Sequence, residues 1–257
     1  MMSATSNSLG ARLAAAGLDW IVPDWPAPPQ VCALSTTRNA RAGERFDLTR
    51  NNHRFETSRS ELRRWLPADP IWLAQAHGIA ICDADAASAA RSRDLPEADG
   101  VVARVPNTVC AVHSADCLPV LLTDLHGSVV AAAHAGWRGL AAGVIEAALA
   151  AMHTRPAAVL AWLGPAIGPQ AFEVGADVVA AHCAGDPGAL QCFSPQRPGR
   201  WLADLYALAR RRLGRAGVVA IHGGGRCTLS EPDTFYSYRR EGAAAGRMAT
   251  LIWIAAV

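Results

Sequence analysis

Lysine is absent from this chain. All 24 basic residues among its 257 are arginines, which excludes Schiff-base catalysis and the lysine of a phosphate-binding P-loop. A bias toward Ala, Gly, Pro and Arg accounts for the absence, yet its chemical consequence stands. Any phosphate this chain binds must be held by guanidinium groups. No run approaches the roughly 18 consecutive apolar residues of a membrane span, and the opening MMSATSNSLGARLAAAGLDW lacks the long apolar core of a signal peptide. A soluble, cytoplasmic protein with no membrane partner is expected. Excess charge is also missing: a net +2 gives little pull toward nucleic acid, so no such partner is expected. The seven cysteines are odd in number and scattered, unlike a disulfide framework, and a reducing compartment suits them. There is no CxxC, no HExxH and no HxH among the eight histidines. The GGGRCT segment lacks a GxGxxG pattern and reads as a tight loop placing Cys227.

With 51% hydrophobic residues the chain can bury a large core, most economically as one domain. Residues 1–18 read as a flexible or weakly helical extension, and 19–257 as the single domain. Short strands alternating with helices give a mixed α/β pattern. Strands are expected at 31–35, 71–73, 108–112, 118–123, 129–133, 159–163, 218–221, 235–238 and 248–254. Helices are expected around 58–65, 140–152 and 202–213. In the last of these Leu202, Leu205, Tyr206, Ala209 and Leu213 form one stripe, with Arg210, Arg211 and Arg215 on a solvated face.

The chemistry gathers between Cys110 and Arg138. Two apolar runs, 118–123 and 129–133, flank a polar turn at Asp124 and Gly127, which predicts a hairpin. Cys117 stands just before the first run and His134 just after the second, so antiparallel pairing brings thiol and imidazole to one end. His77 lies upstream in WLAQAHG, where a short strand is expected to end. One Cys and two His make a three-ligand site for a metal such as zinc, with a fourth position open to water or substrate. The plainer alternative is a buried thiol and two hydrogen-bonded histidines.

The segments QAHG (75–78), SADCLPVLL (114–122) and AAAHAGWRGL (131–140) resemble the signature of the laccase-domain family. WLGPAIGPQAFEVG, WLADLYALARRRL, GGGRCT and FYSYRREG with GRMA continue the likeness in the same order over about residues 20–257. That family was first called multicopper polyphenol oxidase and is now described as a zinc-dependent purine nucleoside phosphorylase and adenosine deaminase. The resemblance implies a layered α/β/β/α fold with mixed β-sheets and places the family's metal ligands on His77, Cys117 and His134. It also implies phosphorolysis of adenosine or inosine, with methylthioadenosine as a further substrate, to free base and ribose 1-phosphate, and adenosine deamination besides. Purine nucleoside and phosphate would then be the partners. The loop 36–53 departs from the family, Asp47-Leu48 standing where an Asn-Leu motif is usual.

With no lysine, the anion falls to arginines. Arg138, one helical turn after His134, is the first candidate; Arg38 in STTR and Arg239 in SYRRE follow, surface ion pairing being the alternative for each. Asp116 beside Cys117 is a candidate general base or a carboxylate partner to a ligand imidazole, or else a turn-capping aspartate. His113 reads as a hydrogen-bonded histidine and Trp137 as a core packer. The competing functions are a copper (Cu2+) polyphenol oxidase and a metal-stabilised binding protein. Eight histidines without an HxH pair disfavour a multicopper cluster. Oligomeric state is open, a monomer being compatible with the sequence.

Overall fold

A computed structural model describes residues 4–50, 52–90 and 94–256. In chain order the elements are α1 (Ala4–Ala15), β1 (Val31–Ser35), α2 (Phe55–Arg63), β2 (Ile81–Asp83), α3 (Ala84–Ala90), β3 (Gly100–Ala103), β4 (Cys110–Ser114), β5 (Leu118–Asp124) and β6 (Val130–Ala135). There follow α4 (Trp137–Ala142), α5 (Val144–Met152), β7 (Val159–Leu163), β8 (Glu173–Val174), α6 (Ala176–Cys183), β9 (Phe193–Arg197) and β10 (Arg200–Ala203). The last are α7 (Leu205–Arg215), β11 (Ala220–Gly223), α8 (Tyr238–Glu241) and β12 (Met248–Ile254).

Strand alternation turns this list into layers, because successive side chains point to opposite faces. In the six-stranded sheet, ordered β11-β7-β5-β6-β3-β2, Leu118, Val120 and Leu122 pack on Leu140, Ile145, Leu205 and Leu213 of the helices. Leu121, between them, faces the other way, into a core shared with Val31, Val112 and Ile252 of the second sheet. That sheet, ordered β1-β12-β4, turns Leu34, Ala111 and Leu251 outward onto Leu9, Leu13 and Leu62 of α1 and α2. Four layers result, α/β/β/α, with parallel and antiparallel pairings mixed in the larger sheet. Each fully buried leucine at these faces contributes about 1.5–3 kcal/mol by its removal from water.

Several expected elements shift, each for a local reason. The extension expected to be flexible or weakly helical contains α1, anchored through buried Leu9 and Leu13; residues 1–3 and 257 lie outside the described residues. The 71–73 segment forms no strand, because its backbone divides between two partners: Ile71 bridges Cys110 and Ala74 bridges Glu97. The helix expected over 140–152 starts at Trp137 and breaks at Gly143, whose φ of 109° is open to glycine and costly for other residues. Leu202 belongs to β10, since the Asp204 carboxylate accepts from Ala207 N (2.9 Å) and caps α7 at its true start. Phe235–Tyr238 is no strand either, because Ser237 caps the short α8 by accepting from Arg240 N.

Candidate metal centre

The hairpin forms in the expected register. Antiparallel pairing sets Leu118 opposite Ala135 and Pro119 opposite His134, so His134 lies within β6 while Cys117 just precedes β5. The turn is closed by Asp124, which accepts from Ser128 N (2.7 Å) and Val129 N (3.2 Å), with Gly127 at φ 65°. His77 arrives from the 74–78 segment. Its ring meets that of His134 edge to face at 4.9 Å between centroids, and its Nε2 lies 3.7 Å from Cys117 Sγ.

One donor atom from each of His77, Cys117 and His134 lies within 4.8 Å of the others. Metal–nitrogen and metal–sulfur bonds of about 2.0–2.3 Å put neighbouring ligand atoms about 3.5 Å apart in a tetrahedron. The observed sulfur–nitrogen separation agrees with that spacing, so the three residues fit a metal. Gly136 supports the same conclusion. A Cβ there would come within 2.8 Å of His77 Cδ2 and 2.9 Å of Cys117 Sγ, so only glycine lets the chain pass this close to two donors.

The electrostatics favour a ligating thiolate. Burial alone would raise the Cys117 thiol, but the charge and hydrogen bond of His134, with a hydrogen bond from His77, bring it down to about 6. Burial likewise opposes charge on His134, and the thiolate together with the Asp99 carboxylate overcomes it, raising the imidazole to about 9. Asp99 was not among the expected residues. It stands in EADG, just before β3, and its Oδ1 lies 2.8 Å from His134 Nδ1. The only advance signal was an aspartate held just outside an apolar strand. Asp116, the expected partner, is occupied elsewhere. Its carboxylate accepts from Thr228 Oγ1 (2.5 Å), Ser237 Oγ (3.0 Å) and Arg239 N (2.6 Å). It therefore ties the 228–239 segment to the residue before Cys117 instead of orienting an imidazole.

The three donors open onto a cavity of about 700 Å³. Arg50, Arg138, Arg239 and Arg247 line it, and Asp116 is the sole acidic residue on its wall among the described residues. None of the four arginines is ion-paired with a carboxylate among the described residues. The Arg138 guanidinium lies 4.3 Å over the Trp137 ring, and Arg239 lies 5.4 Å over Phe172. Trp137 thus serves the wall as well as the core. Arg38 is placed differently: it pairs with Glu241 at 3.2 Å, stacks on Tyr236, and is not on the cavity wall. Arg50 and Arg247 were not expected from sequence. Asp47 ties the two segments that carry them, accepting from Thr49 N (2.8 Å), Thr49 Oγ1 (2.7 Å), Asn52 Nδ2 (2.8 Å) and Arg247 N (2.9 Å). His113, expected as a hydrogen-bonded histidine, lies flat on Trp72 at 4.4 Å, its Nε2 without a partner among the described residues. Its backbone is held by Gln75, and burial lowers its imidazole to about 3, so it is neutral.

The sequence profile of a family described as multi-copper polyphenol oxidoreductase laccase matches residues 45–255. A Xylella fastidiosa protein named purine nucleoside phosphorylase is 46% identical over 253 residues, covering 91% of this chain and 97% of its own length. An Escherichia coli K12 protein named purine nucleoside phosphorylase YfiH is 44% identical over 248 residues, covering 91% and 98%. The crystal structure of a Neisseria meningitidis protein superposes with a TM-score of 0.86 at 44% identity over 93% of this chain and all of that one. YlmD of Geobacillus stearothermophilus superposes at 0.81 with 26% identity, over 92% and 96%. Matched over most of its length by profile, sequence and structure alike, this chain belongs to the laccase-type polyphenol oxidoreductase family, the one whose relatives here carry the name purine nucleoside phosphorylase.

Proposed function

We propose that this chain is a metal-dependent purine nucleoside phosphorylase that cleaves adenosine or inosine, and methylthioadenosine, with phosphate. The observation that carries this reading is a three-donor cluster opening onto a cavity lined by four arginines whose guanidinium groups form no ion pair with a carboxylate among the described residues. Such a wall suits an anionic co-substrate, and the names of the relatives at 40–46% identity supply the class of nucleophilic substitution. Zinc is the metal we assign, since a thiolate and two imidazoles suit it and leave a position free. When bound, it supplies Lewis-acid polarisation of a substrate donor atom.

The chain's own residues do the rest. Arg138, on the same cavity wall as the donors and over the Trp137 ring, and Arg239 present planar forks that bind phosphate through paired N–H groups. Phe172, Trp137 and Tyr238 offer aromatic faces between which purine and ribose lie, and exclude water around the reacting carbon. A phosphate oxygen forms a bond to C1′ as the C1′–N9 bond breaks. The bonding pair passes into the purine ring, which then takes up a proton, giving free base and ribose 1-phosphate. Asp116 acts here as a structural tie, its carboxylate accepting from three donors. Adenosine deamination, in which a water oxygen adds at C6 and ammonia leaves, is a second activity we assign to the same cavity.

The test is to assay zinc-loaded and copper-loaded protein side by side with adenosine, inosine and a phenolic dye. Base release that requires phosphate and survives removal of copper is the expected result. Phenol oxidation at comparable efficiency without base release would overturn the reading.

A further inference from the structure

We propose that Asp99 is the positioning residue of the metal centre, one buried carboxylate fixing two of the three donors: His134 through its ring and His77 through its backbone. The inference rests on the metal-centre reading above but not on the identity of the substrate. Asp99 is 1% exposed. Its Oδ1 faces His134 Nδ1 at 2.8 Å and accepts from His77 N at 2.9 Å, while Oδ2 accepts from Ala76 N at 3.0 Å and Gly78 N at 2.6 Å. Its backbone carbonyl accepts from His134 N at 2.7 Å. Both ends of the residue therefore hold the same histidine.

Three successive amides pointing at one carboxylate form a nest, a concave backbone shape that binds anions. His77 sits in it at φ 61°, in the left-handed region that a residue with a Cβ rarely adopts. The carboxylate thus holds His77 in the backbone conformation that aims its ring at Cys117. On the other side, a proton kept on Nδ1 of His134 by the carboxylate leaves Nε2 as the ring's lone-pair donor. Asn cannot replace this residue faithfully. Its amide nitrogen would have to face either the His134 and His77 donors or the Ala76 and Gly78 amides, donor against donor.

A purely structural aspartate would make a different prediction: its loss would lower the melting temperature of the metal-free protein but leave metal affinity of the folded fraction unchanged. The experiment is Asp99→Asn, with zinc affinity measured by chelator competition and the cobalt-substituted protein examined by absorption. We expect a 10–100-fold rise in zinc Kd, with the cobalt ligand-field bands altered and the Cys117 sulfur-to-cobalt charge-transfer band retained. Unchanged Kd in folded Asp99→Asn overturns the proposal. Should that variant not fold, wild-type protein loaded with cadmium-113 decides by nitrogen-15 NMR: metal coupling at His134 Nε2 with a proton on Nδ1 supports it, and coupling at Nδ1 overturns it. No nucleoside enters these measurements, so a failure of phosphorolysis and a failure of the Asp99 role are told apart.

Discussion

Cys117 stands just before β5 and His134 within β6, neighbouring strands in which every residue is buried. Elsewhere on the cavity wall Arg50 is exposed, and Asp47, three residues before it, bonds Arg247 N across 200 positions of sequence. The donors are fixed by strand register, a close-passing glycine and a buried carboxylate. The arginines rest on one clamp and on long side chains. A metal needs ligand positions good to a few tenths of an ångström, whereas an anion tolerates a mobile guanidinium. Rigidity is concentrated where the chemistry demands it.

Breaking the rigid side should have the largest effects. Cys117→Ala is expected to lower metal affinity and turnover at least about 100-fold, since it removes one of three ligands. Full metal content in that variant, by elemental analysis, would refute the ligand assignment. Gly136→Ala should follow, weakening metal binding about 10-fold as the new Cβ pushes on His77 and Cys117; isothermal titration with zinc measures it. On the looser wall, Asp47→Ala leaves three N–H groups and a hydroxyl without their acceptor, at about 1–3 kcal/mol of stability. It should also raise the phosphate KM several-fold without touching metal affinity. Arg138→Lys removes a planar fork while keeping the charge and should raise the phosphate KM by a smaller factor.

The metal-free protein sharpens the contrast through pH. A depressed thiol stabilises the fold above its unfolded value near 9 and loses that contribution as pH falls through about 6. A raised imidazole stabilises below 6.5 and loses its contribution as pH rises through about 9. Between 6 and 9 the folded chain holds a thiolate–imidazolium pair, so thiolate absorbance should appear with a midpoint near 6. A midpoint near 9 would mean that Cys117 and His134 do not interact.

The two walls were also unequally legible in the sequence. The hairpin and its donors could be read because period-2 patterning, a turn signal and chemically distinctive residues all fell within 29 positions, Cys110 to Arg138. His77 followed from resemblance as much as from pattern, and the four-layer arrangement from resemblance alone. Asp99 escaped notice because an aspartate before a strand has no local mark of its role, which depends on β3 pairing with β6 far along the chain. Arg50 and Arg247 escaped because one lies in a segment without periodicity and the other before a strand. Only tertiary contact through Asp47 makes them a pair. Arg38 was open to two readings at its strand end, a binding residue or an ion pair, and it pairs with Glu241.

One further consequence follows from where β12 lies. It is the last strand in chain order, yet it occupies the middle of the three-stranded sheet, between β1 and β4. While the chain emerges from the ribosome, β1 and β4 have no shared neighbour, and each presents an unpaired edge until Met248–Ile254 arrives to zip both sides. Arg247, immediately before β12, reaches the cavity in the same step. The arrival of β12 therefore joins β1 to β4 and brings one arginine to the binding wall in a single closing event.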